Sequence, residues 1–203
     1  MSRKFWDNRY GEPGYAYGTE PNAFLRAQAS RLPPGLRVFV VGDGEGRNGV
    51  WLATQGHDVL SVDASPVGLA KARRLAAERG VPLQTQEVEL STWDWPVSAF
   101  DAVVSIFVHF RPDIRARMHA AMLAALRPGG LLMLEAFTPD QLKYPSGGPR
   151  DREMLYTPDL LRQDVGKGEI LLLDELVTEL DEGKYHRGPA AVVRLVTRRP
   201  GKD

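Results

Sequence analysis

The residues whose types and spacing best suggest chemistry are three glycines and one acid. Gly42, Gly44 and Gly46 come directly after the apolar run 38–41, and Asp63 ends the next apolar run, about twenty residues beyond the turn. A turn without Cβ atoms lets a ligand lie against the backbone, and a helix that begins there points its free N–H groups at that ligand. An ionised carboxylate after the second strand can accept hydrogen bonds from ribose hydroxyl groups. These residues therefore predict a site for a ligand that contains a nucleoside.

The composition of the turn disfavours two common kinds of nucleotide site. In the spacing that nicotinamide dinucleotides require, the third glycine would fall at Arg47. The chain also lacks the Gly-Lys-Ser/Thr sequence of a phosphate-binding loop. Asp43 and Glu45 lie inside the turn, where they would repel a pyrophosphate but tolerate a ligand that carries positive charge.

The elements around the turn alternate in type. Apolar runs predict five strands in this order: 38–41, 59–62, 82–88, 100–107 and 131–137. Helical periodicity between most of them indicates a parallel sheet with helices on its two faces. Residues 169–180 and 190–198 predict two more strands without a helix between them, which should form an antiparallel pair at the sheet edge.

The length of 203 residues suits one domain with one core. We expect a single domain spanning 1–203. An N-terminal flap and helix would occupy 1–35, a ligand-binding core 36–137, and a substrate loop with a C-terminal hairpin 138–203. The first 20 residues are too irregular for a long helix, and their aromatic side chains would pack on the core or cover the ligand.

The composition narrows the possible functions. Lys and Arg together number 26, as do Asp and Glu, so a general nucleic-acid or anionic-membrane binder is not expected. There is no cysteine, which excludes disulfides, thiolate catalysis and cysteine-ligated zinc. No apolar stretch has the length of a signal peptide or a membrane span, so we expect a cytoplasmic protein.

Histidines provide the candidates for proton transfer. His109 directly follows the fourth predicted strand and His186 lies in the last hairpin loop, so both should fall on the ligand-binding edge of the sheet. His57 and His119 are expected to be structural or surface residues. No histidine pair has the spacing of metal ligands, so we expect no catalytic metal.

Four cations lie in loops that should emerge at the same edge: Lys143, Arg150, Arg152 and Arg187. With His186 they could form a local anion site, or they could be ordinary solvated charges. Tyr17, Tyr144 and Tyr185 could shape the same pocket.

Four segments together resemble the motifs of class I S-adenosylmethionine-dependent methyltransferases. They are Val-Gly-Asp-Gly-Glu-Gly-Arg-Asn at 41–48, Val-Asp-Ala-Ser at 62–65, Phe-Asp-Ala-Val-Val-Ser-Ile-Phe at 100–107 and Leu-Arg-Pro-Gly-Gly-Leu-Leu-Met-Leu at 126–134. Asp43 stands where many members have cysteine. The resemblance implies a three-layer Rossmann-like fold, with a mostly parallel seven-stranded sheet that ends in an antiparallel strand pair. It also implies S-adenosylmethionine as cofactor.

The resemblance also implies which residues hold that cofactor. The backbone from Gly42 to Gly44 would lie along the methionine part and the ribose, and Asp63 would accept both ribose hydroxyl groups. Arg47 would pair with the methionine carboxylate, or would face solvent in the first helical turn. Ala64, Ser65, Glu89 and Leu90 would lie near the adenine. Further contacts would come from the rest of the turn and from the end of strand four: Asp43, Gly46, Ser105, Ile106 and Phe107.

Several of these residues have an alternative explanation. Ser65 followed by Pro66 is equally a helix cap, Glu89 and Leu90 could lie in a surface loop, and Phe107 could belong to the core.

A narrower resemblance concerns the methyl acceptor. Phe-Trp-Asp-x-Arg-Tyr at 5–10, Glu-Pro-Asn-x-Phe-Leu at 20–25 and Gly-Lys-Tyr-His-Arg-Gly at 183–188 are similar to the tellurite-resistance and thiol-methyltransferase-like branch. This implies in-line methyl transfer to a small-molecule nucleophile such as a thiol or a chalcogen oxyanion, with no nucleic-acid or membrane partner. The candidate catalytic residues are His109, His186, Arg187 and Tyr17. A thiol would need a general base, whereas an oxyanion would not.

Two other functions remain open at this point. The chain could be a non-catalytic module that binds S-adenosylmethionine, since no residue is an unmistakable catalyst. It could also be a nicotinamide-dependent oxidoreductase, which the glycine spacing disfavours. Either a monomer or a homodimer is compatible with the sequence.

Overall fold

The computed structural model describes residues 2–201. These residues form two compact units. Unit 1 comprises the chain up to Trp93 together with Glu182–Tyr185, and unit 2 comprises Asp94–Asp181 and the chain from His186 onward.

Seven strands form one sheet in the order β3-β2-β1-β4-β5-β7-β6. They are β1 (Arg37–Val41), β2 (Asp58–Asp63), β3 (Gln84–Glu87), β4 (Phe100–Ile106), β5 (Leu126–Phe137), β6 (Glu169–Asp181) and β7 (Arg187–Arg198). Strand β1 pairs with β2, β2 with β3, and β4 with β5, all in parallel. Strand β7 is antiparallel to both β5 and β6. The predicted α/β class and the mostly parallel sheet with an antiparallel C-terminal pair are confirmed.

The helices follow the strands in the expected order. They are α1 (Arg3–Tyr10), α2 (Ala23–Ala27), α3 (Arg47–Thr54), α4 (Pro66–Glu78), α5 (Pro112–Ala125) and α6 (Pro158–Val165). Helices α4 and α6 begin as the sequence predicts. The hydroxyl of Ser65 accepts a hydrogen bond from the Gly68 N–H, and that of Thr157 accepts one from the Leu160 N–H. A proline stands at the start of each helix.

The core of unit 1 is built on β1. Val38, Phe39, Val40 and Val41 are all almost completely buried, as expected for a parallel strand covered on both faces. In unit 2, residues of β5 and β7 pack with α6 and Tyr156, which is fully buried. These cores hold the ends of the strands, where the candidate site residues lie.

Three segments differ from the sequence prediction. Residues 3–10 form the helix α1, because Ser2 caps it and its aromatic side chains pack against one another. Strand β5 begins at Leu126 rather than 131, since Leu126 already pairs with Phe100; the Pro-Gly-Gly segment lies in the irregular stretch before regular pairing resumes at Leu131. The long loop over 138–156 contains two short 3-10 turns, Pro139–Lys143 and Arg152–Met154.

Within the described residues, none of the helices is long and apolar enough to cross a membrane.

Candidate functional site

The glycine turn of unit 1 has a backbone that favours glycine at three positions. The φ angles of Gly42, Gly44 and Gly46 are +60°, +56° and +87°, in the left-handed region that other residues rarely adopt. Space adds a second requirement. A Cβ atom at Gly44 would collide with the Tyr10 hydroxyl, and one at Gly46 would lie 2.5 Å from the Ala72 Cβ. The turn is therefore tightly enclosed as well as conformationally unusual.

Asp63 lies beside this turn at the end of β2, as the sequence predicts. Its Oδ2 accepts a hydrogen bond from the Gly44 N–H at 2.9 Å, and its Oδ1 accepts one from the Ser65 N–H at 2.8 Å. Burial raises the pKa of this carboxyl to about 6, although the backbone donors work in the opposite direction. Each carboxylate oxygen can accept more than one hydrogen bond, so Asp63 can also accept from a ligand.

The two acids inside the turn are engaged with protein groups. Asp43 accepts a hydrogen bond from the Ser61 hydroxyl at 2.6 Å and one from the Gly49 N–H at 3.2 Å. Burial raises the pKa of the Asp43 carboxyl to about 7. Glu45 accepts from the Ala16 N–H at 2.7 Å and forms a salt bridge with Lys71. These side chains stabilise the turn and its surroundings from within unit 1.

Helix α1 lies over the turn. The Tyr10 side chain is buried and lies next to Gly44 and Gly68. Burial and the nearby Asp63 carboxylate raise the pKa of Tyr10 well above its usual range. The Ser65 hydroxyl donates to Asp7 at 2.6 Å, which ties the helix to the start of α4. The N-terminal segment thus packs against the glycine turn, and its covering of a ligand there stays a prediction.

Arg47, the first residue of α3, is buried rather than solvent-facing. Its Nη2 donates to Glu182 Oε2 at 2.7 Å. The other carboxylate oxygen of Glu182 accepts from Asn22 Nδ2 at 3.0 Å. Sequence reasoning missed Glu182, because it comes from the far end of the chain and no local pattern marks its partner.

Tyr17 lies in a cluster of aromatic and charged side chains within unit 1. Arg9 donates to the Tyr17 hydroxyl at 2.8 Å and lies 4.1 Å from the centre of the Tyr185 ring. Glu12 accepts hydrogen bonds from both Lys184 and Tyr185, each at 2.6 Å. Burial raises the pKa of Tyr17. These contacts join the N-terminal segment to the loop over 182–185.

The residues expected near the adenine differ in exposure. Ala64 is half-buried and Ser65 is fully buried as the cap of α4. Leu90 is half-buried, whereas Glu89 is exposed and accepts a hydrogen bond from the Ser91 hydroxyl at 2.9 Å. The predicted contacts of these residues with the cofactor remain a prediction.

In unit 2, the end of β4 leads into an aromatic cluster. Ser105 and Ile106 are buried, and Phe107 adopts a φ of +56°, which is strained for a residue with a side chain. Its N–H donates to the Glu135 carbonyl at 2.7 Å, which helps to hold this conformation. The Phe107 ring stacks on Phe137 at 4.4 Å and meets the His186 ring edge-on at 4.6 Å between centroids. We call Phe107, Phe137 and His186 the aromatic cluster.

His109 has both ring nitrogens in contact with backbone groups. Nδ1 lies 2.7 Å from the Met154 carbonyl oxygen, and Nε2 accepts a hydrogen bond from the Phe137 N–H at 3.2 Å. These partners assign the proton to Nδ1. Burial lowers the pKa of His109 to about 4. The arrangement gives His109 a role in holding its loop and does not support its predicted role as a base.

The four loop cations have different surroundings. Lys143 pairs with Asp140 at 3.0 Å, and Arg150, Arg152 and Arg187 are exposed. Across residues 2–201, no group of three or more histidine or acid side chains could hold a metal ion.

Residues 38–130 match a family model described as a methyltransferase domain. Over this segment the chain is similar to a methyltransferase domain, as the four motifs predict. The methyltransferase class predicted from the four motifs is confirmed at the level of the domain, and S-adenosylmethionine is the cofactor of that class.

The similarity to curated relatives covers different shares of their lengths. An uncharacterised protein of Mycobacterium tuberculosis is 33% identical over 111 residues, which is 54% of this chain but only 40% of that protein. A thiopurine S-methyltransferase from Bordetella petrii is 27% identical over 227 residues and 98% of both chains. Other relatives are named as methyltransferases of ribosomal protein L11 and of tRNA, at 51% and 53% of their lengths.

Solved structures share the fold. A protein from a study of the conversion of a disulfide bond into a thioacetal group during echinomycin biosynthesis has a TM-score of 0.80 at 19% identity, covering 100% of this chain and 93% of the other. TehB from Haemophilus influenzae has a TM-score of 0.73 at 17% identity, covering 97% of this chain and 66% of the other. At such identities the likeness concerns the fold alone.

The residues of unit 1 fit an S-adenosylmethionine molecule. Asp63 offers oxygen atoms for a ribose beside the glycine turn, while Tyr10 and Ala72 fill the space where Cβ atoms would stand at Gly44 and Gly46. Arg47 has a buried Nη1 without a hydrogen-bond partner among the described residues, which suits an anionic group. Asp63 and Arg47 thus match opposite ends of one amino-acid nucleoside.

Proposed function

We propose that the chain transfers a methyl group from S-adenosylmethionine to a small-molecule nucleophile, with a thiol as the favoured acceptor. The observation that carries the proposal is the contact of Asp63 with the glycine turn, inside a methyltransferase domain. An acid beside a glycine turn is the arrangement with which related nucleotide-binding folds hold a ribose, which supports the proposal.

The residues of unit 1 would hold the cofactor. Asp63 would accept the ribose hydroxyl groups, and the backbone from Gly42 to Gly44 would lie along the ligand. Asp43 would keep the turn in shape through Ser61 and Gly49 rather than touch the ligand with its side chain. Ala64, Ser65, Glu89 and Leu90 remain proposed neighbours of the adenine.

When bound, S-adenosylmethionine supplies an electrophilic methyl group on a sulfonium. The chain's contribution is to position the reactants and to exclude water, which can supply roughly 7 to 11 kcal/mol of a barrier in favourable cases. Tyr10 over Gly44 provides such a cover on the cofactor side. No covalent bond between the enzyme and the methyl group is required.

The side chains of unit 2 favour a thiol over an oxyanion as the methyl acceptor. Phe107 is the half-buried ring of the aromatic cluster, packed on the buried Phe137 and His186, and sulfur makes favourable contacts with aromatic rings. His109 is neutral at physiological pH, and Arg187 is exposed, so this part of the chain offers little buried positive charge for an oxyanion. A thiol fits these surroundings better than tellurite does.

The relatives support the same preference. The thiopurine S-methyltransferase matches over 98% of its length, whereas the relatives named for L11 and tRNA methylation match over about half. The net charge of zero also favours a small molecule over a nucleic acid.

A thiol acceptor must lose a proton. We propose His186 as the group that receives it, with Tyr17 and Arg187 as further residues of the acceptor side. His109 is proposed as a positioning residue, because its two nitrogens bind the backbone of Phe137 and Met154.

The test is calorimetry with S-adenosylmethionine and S-adenosylhomocysteine, followed by an assay of S-adenosylhomocysteine release. The acceptors should include aromatic thiols, a thiopurine, selenite, tellurite and small phenols. We expect cofactor binding and turnover with at least one thiol. Turnover confined to oxyanions or phenols would overturn the acceptor class. Binding of both ligands without any turnover would favour a non-catalytic binding module, and tight NAD(H) binding in their place would indicate an oxidoreductase.

A further inference from the structure

The salt bridge between Arg47 and Glu182 connects two segments of unit 1 that are 135 residues apart in the chain. Both side chains are more than nine-tenths buried. Glu182 Oε2 accepts from Arg47 Nη2 at 2.7 Å, while Glu182 Oε1 accepts from Asn22 Nδ2 at 3.0 Å. The Asn22 N–H in turn donates to the Asn48 side chain at 2.9 Å, next to Arg47 in α3. Glu182 is therefore fixed on two sides and holds the guanidinium in one orientation.

The other end of the Arg47 guanidinium is prepared for an acceptor. Its Nη1 is buried and makes no hydrogen bond within residues 2–201. A buried donor without a partner is unfavourable, so a native structure keeps one only where something else compensates. Arg47 directly follows Gly46, the last glycine of the turn, so a ligand along the turn provides the most direct partner.

The start of α3 adds positive charge to that of Arg47, and the carboxylates of Glu182 and Asp43 offset part of it. Arg47 begins α3, and the first turn of that helix contains no acidic residue. The partial positive charge of the helix start therefore adds to that of the guanidinium. Asp63 occupies the end of β2 and would hold the ribose, which leaves the amino-acid end of the ligand for Arg47.

We propose that Glu182 is a positioning residue for the cofactor, which holds Arg47 so that Nη1 binds the carboxylate of the methionine part. The inference rests on the proposed cofactor. Glu182 occupies Nη2, and the planar fork of arginine then directs its remaining donors to one side. Asn22 of the N-terminal segment shares Glu182 with Arg47, so this carboxylate also ties that segment to α3.

The test compares two ligands that differ in the amino-acid part. S-adenosylhomocysteine carries the carboxylate, and 5′-methylthioadenosine has the same adenosine and thioether without it. Both Kd values are measured by calorimetry for the wild type and for Arg47→Met, Glu182→Ala and Lys184→Ala. Lys184 lies in the same loop but is exposed, so Lys184→Ala is the matched control.

The expected result is a selective loss of affinity. Arg47→Met should weaken S-adenosylhomocysteine about 10- to 100-fold, since a charge-assisted hydrogen bond is lost, and change methylthioadenosine less than about 2-fold. Glu182→Ala should weaken S-adenosylhomocysteine about 3- to 10-fold with the same selectivity, because the arginine loses its fixed orientation. Lys184→Ala should leave the ratio of the two Kd values unchanged.

Methylthioadenosine binding also reports whether a variant is folded. If Arg47→Met binds neither ligand, the comparison uses the double variant Arg47→Met/Glu182→Gln instead. This variant removes both buried charges, so no unpaired Glu182 carboxylate is left in the interior. Equal losses for the two ligands would overturn the assignment of Arg47. An unchanged or tighter affinity of Glu182→Ala for S-adenosylhomocysteine would overturn the positioning role of Glu182. Failure of the wild type to bind either ligand would instead refute the proposed function.

Discussion

Asp63 is the residue on which the cofactor site depends most directly. It accepts hydrogen bonds from the N–H groups of Gly44 and Ser65, so one carboxylate fixes both the glycine turn and the start of α4. These backbone bonds orient its oxygens before a ligand arrives. Pre-orientation reduces the entropy that binding must overcome.

Replacement of Asp63 should therefore affect affinity more than folding. We expect Asp63→Asn to weaken binding of S-adenosylhomocysteine about 10- to 100-fold, because charge-assisted hydrogen bonds to a ribose are lost. Calorimetry provides the measurement. Asp58→Asn, at the exposed start of the same strand, serves as the control and should bind like the wild type. Equal affinities of the two variants would show that the ribose is held elsewhere.

Asp43 should make the stability of the protein depend on pH. Its folded pKa of about 7 lies above the ordinary 3.8, so the folded state binds the proton more tightly than the unfolded state. This contribution to the free energy of unfolding consequently decreases as pH rises from about 4 to about 7.

The Asp43→Asn variant tests that sign. An asparagine keeps a carbonyl oxygen for Ser61 and Gly49 but does not titrate. The free energy of unfolding, measured with urea between pH 4 and 8, should move in favour of the variant as pH rises. Parallel pH profiles for the wild type and the variant would contradict the raised pKa.

His109 should remain neutral across the physiological range. Its pKa of about 4 and its contact with the Met154 carbonyl predict the tautomer with the proton on Nδ1. Nitrogen–proton correlation spectra should show this tautomer unchanged from pH 5.5 to 8. Titration of this ring near pH 6.5 would instead return His109 to the candidates for a general base.

At the scale of elements, helix α1 packs directly against the glycine turn. Tyr10 fills the space beside Gly44, while Asp7 accepts a hydrogen bond from Ser65 at the start of α4. The aromatic residues of the N-terminal segment are thus used to enclose the turn.

Alanine substitutions at Gly35 and Gly44 distinguish the cost of backbone strain from the cost of displacing Tyr10. Gly44 and Gly35 both have left-handed φ angles, but only at Gly44 would an added Cβ atom have a neighbour within 4 Å. Gly35→Ala should cost about 1 to 2 kcal/mol of stability from conformation alone. Gly44→Ala should cost more, since Tyr10 must also move, and it should weaken cofactor binding. Urea unfolding and calorimetry measure the two effects, and equal costs would argue against the close contact with Tyr10.

The elements that the sequence predicted well are those set by local patterns. The run 38–41 is apolar on both faces and forms the buried strand β1, and Ser65 with Pro66 specifies the start of α4. The position of Asp63 followed from its spacing in the same way. By contrast, α1 was not predicted, because its aromatic residues contribute through packing on other parts of unit 1.

At the scale of the whole molecule, the unpredicted contacts are those between distant parts of the sequence. Glu182 reaches Arg47 and Asn22 across more than a hundred residues, and no spacing rule marks such a partner. The ring partners of His109 are likewise distant in sequence, since they are backbone groups of Met154 and Phe137. Local sequence patterns indicated the candidate site residues. Contacts between distant residues determine which of their side chains can still bind a ligand.

The central claim is that this chain binds S-adenosylmethionine through the glycine turn. The most direct measurement is calorimetric titration of the wild-type protein with S-adenosylhomocysteine, with circular dichroism to establish that the chain is folded. We expect saturable binding of one ligand per chain, and we expect Asp63→Asn to abolish or strongly weaken it. A folded wild-type protein that shows no binding of S-adenosylhomocysteine or S-adenosylmethionine would contradict it.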